Sequence, residues 1–208
     1  AWGGVRGAPL GNIANSEVWN GVSWTEVNDL NTAGVYVPGA GSSNAAIAAG
    51  RNNPGFQSCT ELWDGTSWTE VNDGAIGYGA SFAGTVNAGF QAGQRNGSGG
   101  ILAGTVEWNG TNWSAGPDGG LSVGGHKGTG TANASINTGC ADGSGNTQDD
   151  TSEWNGTSFY VGGLMPANRS SHCQAGTQNS TYVFGGANPG ETATTEKYNG
   201  TSWSTDVN

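Results

Sequence analysis

Positive charge is scarce in this chain. Six Lys plus Arg stand against sixteen Asp plus Glu, a net charge of −10 over 208 residues. Phosphate backbones and anionic membrane surfaces both require clustered cations, so neither nucleic acid nor a membrane surface is expected as a partner. Long apolar runs are missing too. The longest, Ala45 to Ala49, is far too short to cross a bilayer, so no membrane insertion is expected. Three cysteines (Cys59, Cys140, Cys173) cannot all pair, share no repeat phase and include no Cys-x-x-Cys, which argues against zinc. All three read as small buried or half-buried residues. With no initiator Met and no targeting signal, and with a pattern that starts mid-repeat, the chain reads as a fragment or processed product.

What is abundant is glycine, 40 residues, and tryptophan, nine. Disordered chains lack aromatics, and here the aromatics recur in phase. Five hairpin motifs carry them: Trp19-Asn20-Gly21-Val22-Ser23-Trp24, Trp63-Asp64-Gly65-Thr66-Ser67-Trp68, Trp108-Asn109-Gly110-Thr111-Asn112-Trp113, Trp154-Asn155-Gly156-Thr157-Ser158-Phe159 and Tyr198-Asn199-Gly200-Thr201-Ser202-Trp203. The glycine spacing gives a period of 44 to 46 residues. A period in the 40s with paired aromatics is the mark of a propeller blade.

Each repeat reads as two small-residue strands, a variable loop, an acidic strand and the aromatic hairpin. The chain is therefore expected to be all-β: one domain over 1–208, a five-bladed propeller of about 45 residues per four-stranded blade. Blades fall at about 1–28, 29–73, 74–117, 118–163 and 164–208. Ala1-Trp2-Gly3-Gly4 matches the end of a second strand, so the first blade lacks its first strand. Closure then needs a continuing chain, a strand from a neighbouring subunit or a three-stranded blade, and continuation is the expectation.

Asn-Gly or Asp-Gly suits a two-residue type I′ turn. That geometry makes each aromatic couple a diagonal pair on one sheet face, packed on the next blade. Glu17, Glu61 and Glu196 stand four residues before the turn glycine, Glu107 and Glu153 three before theirs. The offset flips the carboxylate to the other face unless a bulge absorbs it. They read as edge-strand solubilising charges.

The order of glycine pair, variable loop, acidic strand and aromatic-Asn/Asp-Gly-Trp resembles the kelch repeat of galactose-oxidase-like propellers, most closely at Tyr182-Val-Phe-Gly-Gly186. Residues 20–33 and 64–73 resemble a run common in marine and cyanobacterial phage proteins. That resemblance implies a module of a virion surface, fibre or decoration protein, and it names no catalytic residue.

Three functions follow as expectations. The first is a non-enzymatic structural or adhesion propeller on a virion or extracellular filament, its partners being further copies, other virion or filament proteins, or cell-surface glycans. The second is a carbohydrate-binding lectin with shallow loop sites, with Arg6, Arg51 and Arg95 near loop starts as its polar rim. Unequal loops argue against five equal sites. The third, an enzyme, is rejected. A copper site of the galactose-oxidase kind needs two His and two Tyr. His126 and His172 read as differing in phase, Gly125 preceding the first and Ser171 the second, and so as a chance pair of pore-lining or buried residues. No cofactor is expected, and no metal. The one calcium-like alternation, Asp142, Ser144, Asn146 and Asp150, lacks a closing Glu. Of the Asn-x-Ser/Thr sites, turn chemistry accounts for Asn109, Asn155 and Asn199 without glycans.

Overall fold

The computed structural model describes residues 1–7, 11–74, 77–95, 100–102, 104–117, 127–141, 144, 146–188 and 190–206. Among the described residues the regular elements are β-strands: five antiparallel meander sheets form a five-bladed β-propeller, and two short ribbons, Gln94–Arg95 with Ile101–Leu102 and Ala187–Asn188 with Gly190–Glu191, stand beside them. The first sheet has three strands, Trp2–Arg6, Gly11–Trp19 and Trp24–Val27. The second is Gly39–Ser42, Ala45–Asn52, Phe56–Trp63 and Trp68–Val71. The third is Ser81–Thr85, Ala88–Ala92, Val106–Trp108 and Trp113–Ala115. Lys127–Thr131, Ala134–Ala141, Thr147–Trp154 and Phe159–Val161 make the fourth. Cys173–Thr177, Ser180–Phe184, Thr195–Tyr198 and Trp203–Thr205 make the fifth. From the second blade to the fifth, neighbouring first strands lie side by side, which defines the axis.

Each of these first strands carries a glycine just before its turn into the second strand, because the hairpin itself leaves no room there for a side chain. A Cβ on Gly84 would meet the Ala88 carbonyl oxygen at 2.2 Å, and its φ of 123° lies where side chains are disfavoured. Gly41, Gly130 and Gly176 occupy the same register position.

The hairpins differ from the expected type I′ turns. Trp19 pairs directly with Trp24, Trp63 with Trp68, Trp108 with Trp113, Trp154 with Phe159 and Tyr198 with Trp203. The loop between them has four residues. Its geometry is set by the Asn or Asp side chain: Asn20 Oδ1 accepts the N–H groups of Val22 and Ser23, both at 2.9 Å. Only the glycine, at φ 89° to 99° in the five copies, is left-handed. Direct pairing keeps both rings on one face, with centroids 4.9–5.6 Å apart. At Asp64 the N–H groups of Ser67 and Thr66 also hold the carboxyl below its ordinary pKa.

The two rings have different hydrogen-bonding tasks. The first donates within its own blade, to the turn between first and second strands: Trp63 to Ser43 O (2.9 Å), Trp108 to Val86 O (2.8 Å) and Trp154 to Ala132 O (2.9 Å). The second crosses to the preceding blade and donates to a hydroxyl three residues before that blade's first aromatic. Trp68 reaches Ser16 (3.1 Å), Trp113 reaches Thr60 (3.0 Å) and Trp203 reaches Thr151 (3.0 Å). Around them the apolar cores sit between blades. Trp63, Trp68, Ala46 and Ala48 pack on Trp2, Val18 and Val27 of the first blade. Ile47 and Ala49 pack on Phe82, Trp108 and Trp113, and Phe90 and Ala92 on Trp154 and Phe159. Phe159 has no N–H, and the hydroxyl it faces in register, Thr105, donates instead to Pro117 O at 2.6 Å.

The glutamate offset does flip the carboxylate. Glu61 and Glu196 lie on the aromatic face, Glu153 on the opposite one, with no bulge in the adjoining hairpin ladder. They are not solubilising edge charges, however. Glu61, Glu153 and Glu196 are buried, each with a polar partner, while Glu17 is exposed. Cys59 and Cys140 are buried, but Cys173 is exposed rather than buried.

Trp113→Phe keeps the ring and deletes the crossing N–H. It should lower the unfolding free energy in urea by about 1–3 kcal/mol, whereas Trp24→Phe, on the exposed first hairpin, should stay within about 0.5 kcal/mol.

Candidate functional site

In a four-stranded meander, the loops after the second strands and the linkers from one blade to the next share one end of the propeller. At that end two buried ion pairs tie linker, loop and third strand together. Arg51 ends the second strand of the second blade, and its Nη1 lies 2.8 Å from Glu61 Oε1, with both side chains fully buried. The same nitrogen donates to Thr32 O in the linker. Glu61 Oε2 accepts from the Asn31 N–H (2.7 Å) and Nδ2 (2.9 Å), and Oε1 accepts from the Thr32 N–H (3.2 Å). In the fifth blade the arginine comes from the linker instead. Arg169 Nη2 lies 2.5 Å from Glu196 Oε1, and Nη1 donates to Gly185 O (3.0 Å) and Thr194 O (3.2 Å). Burial raises the Glu196 carboxyl pKa, an effect that Arg169 opposes.

Arg51 is therefore not part of a solvent-facing rim. Its guanidinium is enclosed because Glu61, on the neighbouring third strand, reaches it as counter-charge, and Gly34, with no side chain, leaves room for its stem. Arg6 is exposed, and Arg95 forms a two-residue ladder with Leu102 and Ile101 through Gln94 and itself. The three arginines stand at different repeat phases. Arg169 was not singled out by sequence. Its signal was Glu196, which shares its phase with Glu61.

Counted from Gly130 and Gly176, His126 and His172 share one phase, which their unlike neighbours conceal. His126 lies outside the described residues. His172 is buried with Nε2 3.0 Å from Thr138 Oγ1. Thr138 gives its own proton to Gln174 Oε1 (2.7 Å), so the histidine nitrogen donates. This is a packing role between the fourth and fifth blades. Of the calcium-like residues, Asp142 lies outside the described residues, Ser144 and Asn146 are exposed, and Asp150 sits on the strand Thr147–Trp154. Among the described residues no three His, Cys, Asp or Glu are grouped to hold a metal.

Glu153 is buried between two phenols. Tyr198 of the next blade donates to Oε1 at 2.6 Å and Tyr160 to Oε2 at 3.0 Å. Burial, then the hydrogen bond to this carboxylate, pushes the Tyr198 hydroxyl up to about 12.

Two separate surfaces present aromatic rings, one at each end of the propeller. A cavity of about 420 Å³ lies between the first two blades, lined by Trp2, Trp63, Trp68, Ser42 and Ser43 among others. In the second blade Ile47 and Ala46 pair with Leu62 and Trp63; Val18 and Trp19 of the first blade have no such strand partners, and the cavity adjoins them.

The second surface is a pair of tyrosines on neighbouring linkers. Tyr36 and Tyr78 stack with centroids 5.9 Å apart and planes at 29°. Tyr36 is 67% exposed and left-handed at φ 55°. Its position, five residues before the register glycine, is Gly79 in the third blade (φ 67°), Gly125 by sequence in the fourth and Ser171 (φ 55°) in the fifth. The three described copies are all left-handed, so the fold imposes this conformation, and glycine stands there in two of the four sequences. A tyrosine held there is strained by about 1–3 kcal/mol. Backbone bonds fix it: the Gly79 N–H donates to Tyr36 O (3.1 Å), and Val35 exchanges two bonds with Asn52 (3.2 and 3.0 Å). Asn53 Nδ2 adds a bond to Ala33 O and Asn12 Nδ2 one to Asn52 O, both 3.0 Å.

No family model matches this chain, and no curated protein matches it. Among solved structures, that of YjhT superposes with a TM-score of 0.78 at 12% identity, covering 99% of this chain and 80% of that one. At this identity the likeness shows the fold and nothing finer.

Glu61→Ala leaves the Arg51 cation buried without its counter-charge and should cost about 3–5 kcal/mol in urea unfolding. Tyr198 gives a pH dependence. Its folded pKa lies above the unfolded value of 10, so its neutral form favours folding. Stability should hold below pH 10 and fall as pH rises towards about 12, a slope that Tyr198→Phe lessens, leaving the smaller part from Tyr160, in urea midpoints measured across that range.

Proposed function

We propose that this chain is a non-enzymatic, kelch-like adhesion module displayed on a virion, as part of a fibre or decoration protein, or on an extracellular filament. Its recognition element in this reading is the Tyr36–Tyr78 platform, and its ligand class is carbohydrate. The observation that carries the proposal is Tyr36: a large ring kept exposed at a left-handed position where glycine would relieve the strain. Backbone strain retained at a surface aromatic points to function. Stacked phenols give a flat apolar face with hydroxyl tips, which matches a sugar ring whose axial C–H bonds form one apolar face and whose hydroxyls ring the edge. The linker bonds around it hold the platform in place before a ligand arrives, which lowers the entropy lost on binding.

The remaining polar chemistry supports a structural module. Arg51, Arg169, Glu61, Glu153 and Glu196 are buried in contacts between strands, linkers and blades, where they hold the scaffold rather than face solvent. One shallow platform gives weak attachment, and arrays of such modules convert weak contacts into avidity. The phage-like runs at 20–33 and 64–73 agree with display in arrays.

Tyr36→Gly separates the two consequences. Saturation-transfer NMR with methyl galactoside, glucoside and mannoside at millimolar concentration should show transfer to at least one sugar in the native chain and none in the variant. The variant should at the same time be more stable by about 1 kcal/mol. Absence of transfer to all three sugars, or transfer that persists in Tyr36→Gly, refutes the platform.

A further inference from the structure

Each blade's aromatic pair faces the blade before it, and the first blade has none before it among the described residues. Trp19 is 45% exposed and Trp24 56%, against 4% and 7% for the equivalent Trp63 and Trp68. Trp24 also makes no counterpart of the crossing bond that Trp68, Trp113 and Trp203 make. At the other end of the arc, the fifth blade presents the face that elsewhere receives the next blade. Tyr182 and Phe184 stand there at the register positions of Ile47 and Ala49, with Lys197 at that of Leu62. Ile47 and Ala49 are fully buried in the second blade, whereas Phe184 is 39% exposed. The Lys197 ammonium lies 5.3 Å from the Tyr182 ring centroid. Among the described residues no hydrogen bond, ring contact or apolar cluster joins the fifth blade to the first.

We infer that these two faces flank a slot for one further blade of the same repeat. The argument is continuity with an interface that the molecule builds between every other pair of neighbours. A blade in the slot would place its aromatic pair on Tyr182, Phe184 and Lys197. Its opposite face would bring a Ser or Thr, three residues before its first aromatic, to the Trp24 indole. The size agrees: five blades cover 80% of the YjhT chain, and the fifth left over is about one blade's share. A lone blade cannot bury its two faces by itself, so the occupant is a blade held within a repeat array and not a free-standing one. Tyr36 and Tyr78 belong to the second and third blades, so the slot is independent of the carbohydrate platform.

The second repeat, residues 29–73, is suited to the test because its outer face carries Thr60, Leu62 and Val71. A second copy of it joined directly after Asn208 should fill the slot. Relative to the 208-residue chain, acrylamide quenching per tryptophan should fall, and the melting midpoint should rise by about 5 °C or more. Trp24→Ser in the extended chain should reverse most of the rise while leaving the midpoint of the 208-residue chain nearly unchanged. An appended repeat that leaves quenching and midpoint unaltered overturns the inference. So does self-association of the 208-residue chain that Trp24→Ser abolishes, because the face would then take a second copy instead of a single blade.

Discussion

The indole N–H that crosses from one blade to the hydroxyl of the preceding one is the constraint from which most of this structure follows. A four-stranded sheet of glycine and small residues has little to bury within itself. Its apolar area lies on two faces, and each must be covered by a neighbour. Trp68, Trp113 and Trp203 do that covering and also find a polar partner for a nitrogen that would otherwise be buried without one. In blades two to four the first aromatic, Trp63, Trp108 or Trp154, satisfies its own nitrogen inside the blade, so the pair fixes the blade internally as well as externally. The repeat length is held because both contacts must recur in step.

Where the sequence departs from this rule, the partner changes with it. Phe159 offers no donor, and Thr105, the hydroxyl it would have met, turns to Pro117 O. Tyr198 replaces an indole with a longer-reaching hydroxyl, and the preceding blade supplies Glu153 to receive it. A second phenol, Tyr160, takes the other oxygen of that carboxylate. The flipped phase of Glu153 relative to Glu61 thus has a physical reason: the one faces the next blade's tyrosine, the other an arginine of its own blade.

Blade number could be read from the period and the aromatic phase, and strand order and the missing strand of the first blade from the recurring small-residue segments, such as Ala1-Trp2-Gly3-Gly4. Finer features could not. Asn-Gly permits a two-residue turn as readily as a four-residue loop, and the choice rests on whether the Asn side chain accepts the N–H groups two and three residues on. Burial of Glu61 and Glu196 was hidden because their arginines lie 10 and 27 residues away in unrelated segments. The tyrosine platform was hidden for another reason. Tyr36 looks like an ordinary strand residue until the repeats are aligned on Gly41, Gly84, Gly130 and Gly176, which places it opposite Gly79 and Gly125.

The ion pairs and the strained linker share one end of the propeller, and the physics connects them. Burying an arginine and a glutamate together is close to neutral for stability, since desolvation offsets most of the attraction. Arg51 leaves Nε and Nη2 without hydrogen-bond partners, and Arg169 leaves Nε so, which weakens the case for them as stabilisers further. Their distinctive effect is geometric. Glu61 takes three hydrogen bonds from Asn31 and Thr32, four residues ahead of Tyr36, and Arg51 grips the Thr32 carbonyl from the other side. A linker anchored at that point cannot relax by sliding, so the left-handed turn at Tyr36 persists and its ring stays against Tyr78. The buried charges hold the frame, and the frame holds an aromatic surface that a looser linker would let collapse.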